Sequence, residues 1–178
     1  MAGGKSGAAA IFNSDTAMLL LRLALAAVFV FHGGQKMIGW FGGRGWDKSV
    51  AGFVAMGLPE WLAMFTIITE FVGGCCIAFG LLARFWAAGT AIVMASAIAM
   101  VHIHDGWDQA SGKWLDFQSL WSGNTEQGTR GIEFLVVVLL VSLAVFFGGP
   151  GRWAIADLEG WLLGIGRKSG KSARGGDE

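Results

Sequence analysis

A guanidinium and a carboxylate stand inside two otherwise apolar runs of this sequence. Arg22 interrupts TAMLLLRLALAAVFVFHGGQKM (16–37), and Glu70 interrupts WLAMFTIITEFVGGCCIAFGLLA (61–83). In a bilayer a charge near the centre of a span costs about 2.5–3.5 kcal/mol on insertion scales, so it faces a protein interior and has a partner or a task. Helical rise places the two groups roughly 10 Å apart along the membrane normal, within joint reach of two extended side chains. Two readings stand. One is a buried Arg22–Glu70 pair that fixes helix register. The other is a catalytic pair, in which Glu70 carries a proton and Arg22 poises it.

A second polar group gathers at the far end of the first run. His32, Gln35 and Lys36 close that run, His102 and His104 close the third with Asp105 following, and Glu133 opens the fourth. Arg22, Ala26, Phe29, Gly33 and Lys36 share one face at helical spacing, as do Glu70, Gly73, Ile77 and Arg84. A quinone headgroup needs hydrogen-bond donors at its carbonyls and a proton exchanger. His32, Gln35, Lys36, His102 and Glu133 would hold it, and Glu70 would exchange the proton. A haem b needs two axial imidazoles, for which His32 and His102 match in depth. A metal ion would draw on His32, His102 and His104 with a carboxylate, but rings two residues apart diverge by about 200° on a helix. The fourth reading is that boundary histidines meet water and lipid headgroups. No GxGxxG, Walker or HExxH pattern occurs, so nucleotide cofactors and zinc-dependent hydrolysis have no support.

The elements that must position these residues follow from composition. The chain has 178 residues, 54% apolar and 15% charged, with mean hydropathy +0.56. Soluble domains carry about a quarter charged residues, so the composition excludes a water-soluble enzyme. It excludes disorder as well, which needs high charge and low hydrophobicity. Thirteen Lys and Arg balance thirteen Asp and Glu, so no basic surface points to nucleic acid. Four apolar runs, 16–37, 61–83, 85–103 and 132–149, approach the roughly 20 helical residues that cross a 30 Å core. The sequence therefore predicts an all-α integral membrane four-helix bundle with a short interfacial helix over Trp153–Ile165. It divides into an N-terminal segment 1–15, a transmembrane domain 16–166 and a polar basic tail 167–178.

Details of the runs sharpen that picture. All nine tryptophans fall at the ends of the runs or between them, where indole favours the headgroup layer. Lys5, Arg84, Arg152, Arg167, Lys168, Lys171 and Arg174 outnumber Lys36, Arg44, Lys48, Lys113 and Arg130 across the membrane. The excess favours both termini in the cytoplasm. Ala87, Ala91, Ala95 and Ala99, with Gly73, Gly74, Cys75, Cys76, Ala78 and Gly80, supply small residues for close helix packing. The segment 38–60 reads as a Gly-rich loop ending at Pro59, which suits a helix's first turn. In the segment 105–131, Trp107, Trp114 and Trp121 stand seven residues apart and predict a short helix on the outer leaflet.

These elements, in this order, resemble the DoxX family of small membrane proteins. The resemblance rests on Arg22 and the following His32–Lys36 segment (HGGQK), and on Phe53 with Gly57-Leu58-Pro59. It rests further on Glu70-Phe71 with Gly73-Gly74, on Gly80-Leu81 with Arg84, and on Gly148-Gly149-Pro150-Gly151-Arg152 with Ala156-Asp157. It implies a four-helix protein of the cytoplasmic membrane. Some relatives resemble subunits of quinone-linked sulfur oxidation, so the expected function is a membrane subunit of a quinone-linked oxidoreductase, of thiosulfate:quinone type among others. The alternatives are a non-catalytic anchor for a redox partner complex and a small-solute or metal permease. Lipid, redox partner subunits and further copies of the chain are the expected partners.

Overall fold

The computed structural model describes residues 14–102, 107–108, 113–114 and 132–155. Among the described residues the regular structure is helical apart from one two-residue strand pairing. Helix α1 is Ser14–Met37. A single 3-10 turn, Trp40–Gly42, leads to α2, Gly45–Ala55. Helix α3 runs Glu60–Phe79, with a π turn at Thr69–Gly73. Helix α4 begins at Ala83 and ends in a second π turn, Ile98–His102. Helix α5 is Glu133–Gly148. Helices α1, α3 and α4 are long and apolar enough to cross a membrane. Helix α5 has 16 residues, about 24 Å of rise, so it falls short of the fourth full span expected over 132–149.

Packing explains why these segments form one body. The expected stripe on α1 is real: Arg22, Leu25, Ala26, Phe29, Gly33 and Gly34 are all buried. Leu25 and Phe29 meet Ile77 of α3, Ala83 and Ala87 of α4 and Val138 and Val145 of α5 in one core. Of the four spaced alanines on α4, Ala87 and Ala91 are buried, while Ala95 and Ala99 are exposed. The outward faces carry Leu20, Phe65, Ile92, Val137, Leu140 and Phe147, all exposed. In water such a surface would aggregate, whereas in lipid it is the ordinary exterior. The chain is thus a helical membrane protein.

Two expectations fail, and a third lies mostly outside the described residues. The segment 38–60 is no simple loop, because α2 packs Val50 against Ala63 and Ile67 of α3, with Trp46 and Phe53 alongside. Trp107 does not begin a helix: its backbone pairs antiparallel with Trp114, and Asp108 pairs with Lys113. A hairpin also brings residues seven apart together, so the spacing could not separate the two. The predicted interfacial helix is described only at Trp153–Ile155, which form a turn, and the rest of it lies outside the described residues, as do segment 1–13 and the tail.

Candidate functional site

Arg22 and Glu70 do not pair. Arg22 is 1% exposed, and its guanidinium donates to three main-chain carbonyls: Pro150, Ala78 at 3.0 Å and Trp153 at 3.5 Å. Local structure around Arg22 explains this. Helix α3 ends at Gly80 in the left-handed conformation, with Leu81 N–H donating to the Cys76 carbonyl and Gly80 N–H to that of Ile77. This end motif suits glycine. A Cβ there would stand 2.8 Å from the Arg22 guanidinium and 2.6 Å from the Ala154 methyl. The carbonyl of Ala78 is one of the last-turn acceptors of α3 that lack an intrahelical donor. A buried cation there satisfies it and meets the negative end of the helix dipole. The chain after α5 is tied in by the same route: Ile155 N–H donates to Phe79, and Arg152 N–H to the Asp15 carboxylate.

Glu70 pairs instead with Lys36. The ammonium of Lys36 donates to both carboxylate oxygens of Glu70, to Oε1 at 2.6 Å. It also stands 5.6 Å from the centroid of the Phe53 ring, a cation–π contact. Glu70 is 3% exposed, while the Lys36 side chain is 31% exposed. Sequence reasoning placed both groups on interior faces but chose the wrong cation. Arg22 and Lys36 lie about 21 Å apart on α1, and Glu70 packs beside the far end.

Two backbone features put Glu70 there. It lies in the π turn Thr69–Gly73, and π turns are frequent at functional sites because the extra residue redirects a side chain. Gly33 then lets α1 touch that turn. A Cβ at Gly33 would lie 2.5 Å from the Phe71 nitrogen and 2.7 Å from its Cα. Gly74 meets α1 in return, its Cβ position 3.0 Å from Phe29 Cβ and from the Val30 nitrogen. Gly33 and Gly74, from the HGG and GG pairs that carried the family resemblance, therefore interlock α1 and α3, while Gly34 meets Trp40 and Gly73 meets Trp86 of α4. Thr69 Oγ1, wholly buried beside Glu70, has no hydrogen-bond partner in the structure.

The pair is open on two sides. A cavity of about 270 Å³ lies between α3 and α4, lined by Lys36 and Glu70 together with Phe53, Leu62, Phe65, Ile92 and Met100. Phe65, Ile92 and Met100 are themselves exposed, so its mouth is apolar and lateral. A second cavity of about 540 Å³ lies toward α2, lined by Gln35, Lys36, Arg44, Ser49, Phe53 and Met56. Lys36, Phe53 and Met56 line both cavities. An ammonium has three N–H donors. Two serve the Glu70 oxygens, and the third is left for a ligand oxygen.

The other expected site residues separate from this pair. Gln35 lines the larger cavity. His32 is exposed, on the outside of α1, with its ring 5.4 Å from and edge-on to that of Phe31. Glu133 is exposed in the first turn of α5. His102 closes the second π turn, and His104 lies outside the described residues. Among the described residues no three His, Cys, Asp or Glu side chains gather where they could hold a metal ion. The exposed His32 ring does not face the bundle interior, where an axial haem ligand would have to stand. Sequence reasoning missed Phe53, Arg44 and Ser49. Trp46, Val50 and Phe53, at helical spacing, were the available signal for α2.

No curated protein and no solved structure matches the chain. The family model DoxX matches residues 17–103, a stretch that contains α1 to α4, the Lys36–Glu70 pair and every described residue lining its two cavities. The Gly148–Asp157 elements lie outside it. Residues 17–103 are thus a DoxX domain, of a family of membrane proteins, which supports membership of that family.

Proposed function

We propose that the protein is a membrane subunit of a quinone-linked oxidoreductase that holds a quinone headgroup against the Lys36–Glu70 pair. One observation carries the reading: a buried carboxylate and an ammonium with a spare donor stand in an apolar cavity open toward lipid. A lipid-soluble ligand enters such a site laterally, with its chain among apolar side chains. Ligand pockets typically have about 300–1,000 Å³, most of it apolar, with a few polar groups that fix orientation. The two cavities that meet at Lys36 fall in that range together.

The roles follow from the groups. Lys36 Nζ donates its third N–H to a ligand carbonyl. Glu70 accepts a proton from the ligand or returns one; when ionised its charge is balanced by Lys36, and when protonated it leaves the ammonium charge to the ligand oxygen. Phe53 and Leu62 wall the head from water. A bound quinone supplies the two-electron, two-proton chemistry. Arg22 has no part at this site, because its Nη1 and Nη2 donate to carbonyls at the other end of α1.

The test is a fluorescence titration of the purified protein with a short-chain quinone, which quenches tryptophan. Lys36→Met and Glu70→Gln should each weaken binding at least tenfold while thermal melting shows the helices intact. Wild-type affinity in both folded variants would overturn the reading and favour a non-catalytic anchor.

A further inference from the structure

We propose that the cavity between the end of α1 and α2 is a site for a phosphate group, held by Arg44, Ser49 and Lys36. This goes beyond the quinone reading and does not depend on it. The first observation is a buried donor with nothing to bind. Ser49 is 6% exposed and lines the cavity, and its hydroxyl has no hydrogen-bond partner. A buried hydroxyl left unpaired is costly, so such groups mark places where a ligand or water completes the structure.

The second observation is charge. Among the described residues two cations, Lys36 and Arg44, line this cavity, and no carboxylate does. Glu70 reaches Lys36 from the α3 side, so one positive charge remains uncompensated. Among the described residues Arg44 has no hydrogen bond or ion pair. Its guanidinium is nonetheless placed: Nη1 lies 3.5 Å from where a Gly52 Cβ would stand, two turns along α2. That spacing is ordinary van der Waals contact, so the guanidinium rests along the α2 face at Gly52.

A guanidinium from the turn before α2, a hydroxyl from α2 itself and an ammonium from α1, all lining one cavity, match a tetrahedral oxyanion. The guanidinium fork takes two phosphate oxygens at once, the ammonium acts as a point charge, and the hydroxyl donates to a further oxygen. Phe53 and Met56 continue from this cavity into the lateral apolar one. A chain attached to the phosphate therefore has an apolar path away from it. A phospholipid headgroup and free phosphate share this chemistry.

The experiment uses the full chain in a neutral detergent. Inorganic phosphate is titrated by calorimetry, and phosphatidylglycerol is compared with phosphatidylcholine by the same method. Saturable binding of phosphatidylglycerol alone supports the site and assigns it to a lipid headgroup. Binding of inorganic phosphate as well supports it and assigns it to the free ion. Arg44→Gln should weaken binding about tenfold and Ser49→Ala about threefold, and neither change touches the core. Glu70→Gln should tighten it severalfold, because Lys36 loses its anionic partner, even though the same variant weakens quinone binding. No saturable binding, equal binding of the two lipids, or affinity unchanged in Arg44→Gln would overturn the proposal.

Discussion

The two ends of α1 solve the same problem in opposite ways. Each carries a long basic side chain on the buried stripe. At one end Arg22 meets main-chain carbonyls only, in a tight setting where even a Cβ on Gly80 would collide with it. At the other Lys36 meets a carboxylate, with cavities on both sides. Carbonyl dipoles do not titrate and do not leave, so the Arg22 end is a fixed joint between α1, α3 and the chain after α5. A carboxylate exchanges protons, and space beside it admits a ligand. A buried charge in lipid is therefore not enough to locate a site: the nature of its partner and the room around it decide.

The largest expected effect lies at the closed end. Arg22→Met removes the donors to Ala78 and Pro150 and leaves those carbonyls without partners in a low-dielectric setting. Each orphaned group costs about 1–3 kcal/mol, so a loss of about 3 kcal/mol or more is expected. Thermal melting in detergent reads it, and Arg22→Lys should recover part of the loss. The quinone affinity of the protein that remains folded should not change. A variant that melts like the wild type but no longer binds would reverse the assignment of the two ends.

A smaller effect is expected at the open end, because Lys36 is partly exposed and water compensates some of its loss. Lys36→Met leaves the buried Glu70 carboxylate uncompensated and should cost about 2 kcal/mol, at the low side of what a broken buried pair loses. Adding Glu70→Leu should restore most of that stability, since apolar replacement of a whole buried pair is often neutral. Ligand binding should stay lost in the double variant. A double-mutant cycle in melting free energy isolates the coupling. Coupling near zero would mean that the pair is incidental to both fold and site.

How much of this was readable in the residues depends on which physical rule was at work. The spans and the α1 stripe were legible because lipid forces long apolar runs and helical period places Arg22, Ala26, Phe29 and Gly33 on one side. Interior placement of Glu70 was legible for the same reason. Its partner was not, because depth arithmetic assumes an unbroken α-helix and a straight pairing across it. The π turn at Thr69–Gly73 and the demand of α3's last carbonyls for a donor are both set by tertiary contact. Helix α2 was obscured by glycines at 39, 42 and 43, whose positive or extended backbone angles belong to the turn before it, and by Gly45, which opens it with a positive φ. His32 shows the limit of depth as a guide: it stands one residue from the buried Gly33, yet a 100° step turns it outward.

The smallest effect is expected between the two ends, where α4 meets α5 and no charge is involved. Thr90 Oγ1 stands 3.2 Å from Ser142 Oγ, with both residues fully buried. Each hydroxyl also reaches a carbonyl of its own helix, Thr90 that of Ala87 at 3.0 Å and Ser142 that of Val138 at 2.9 Å. Two hydroxyls have only two protons for these three contacts. The carbonyls are the stronger acceptors, so the bond between the helices is the one that goes short. Thr90→Val keeps the shape and leaves Ser142 bonded to Val138. It should cost no more than about 0.6 kcal/mol, the average for hydrogen bonds between membrane helices. Measured by the same melting assay, it sets the scale for a polar contact in this bundle that carries no charge. A loss as large as that of Arg22→Met would show that packing at the α4–α5 contact, and not the partner of a buried cation, governs stability, and the contrast between the two ends of α1 would lose its meaning.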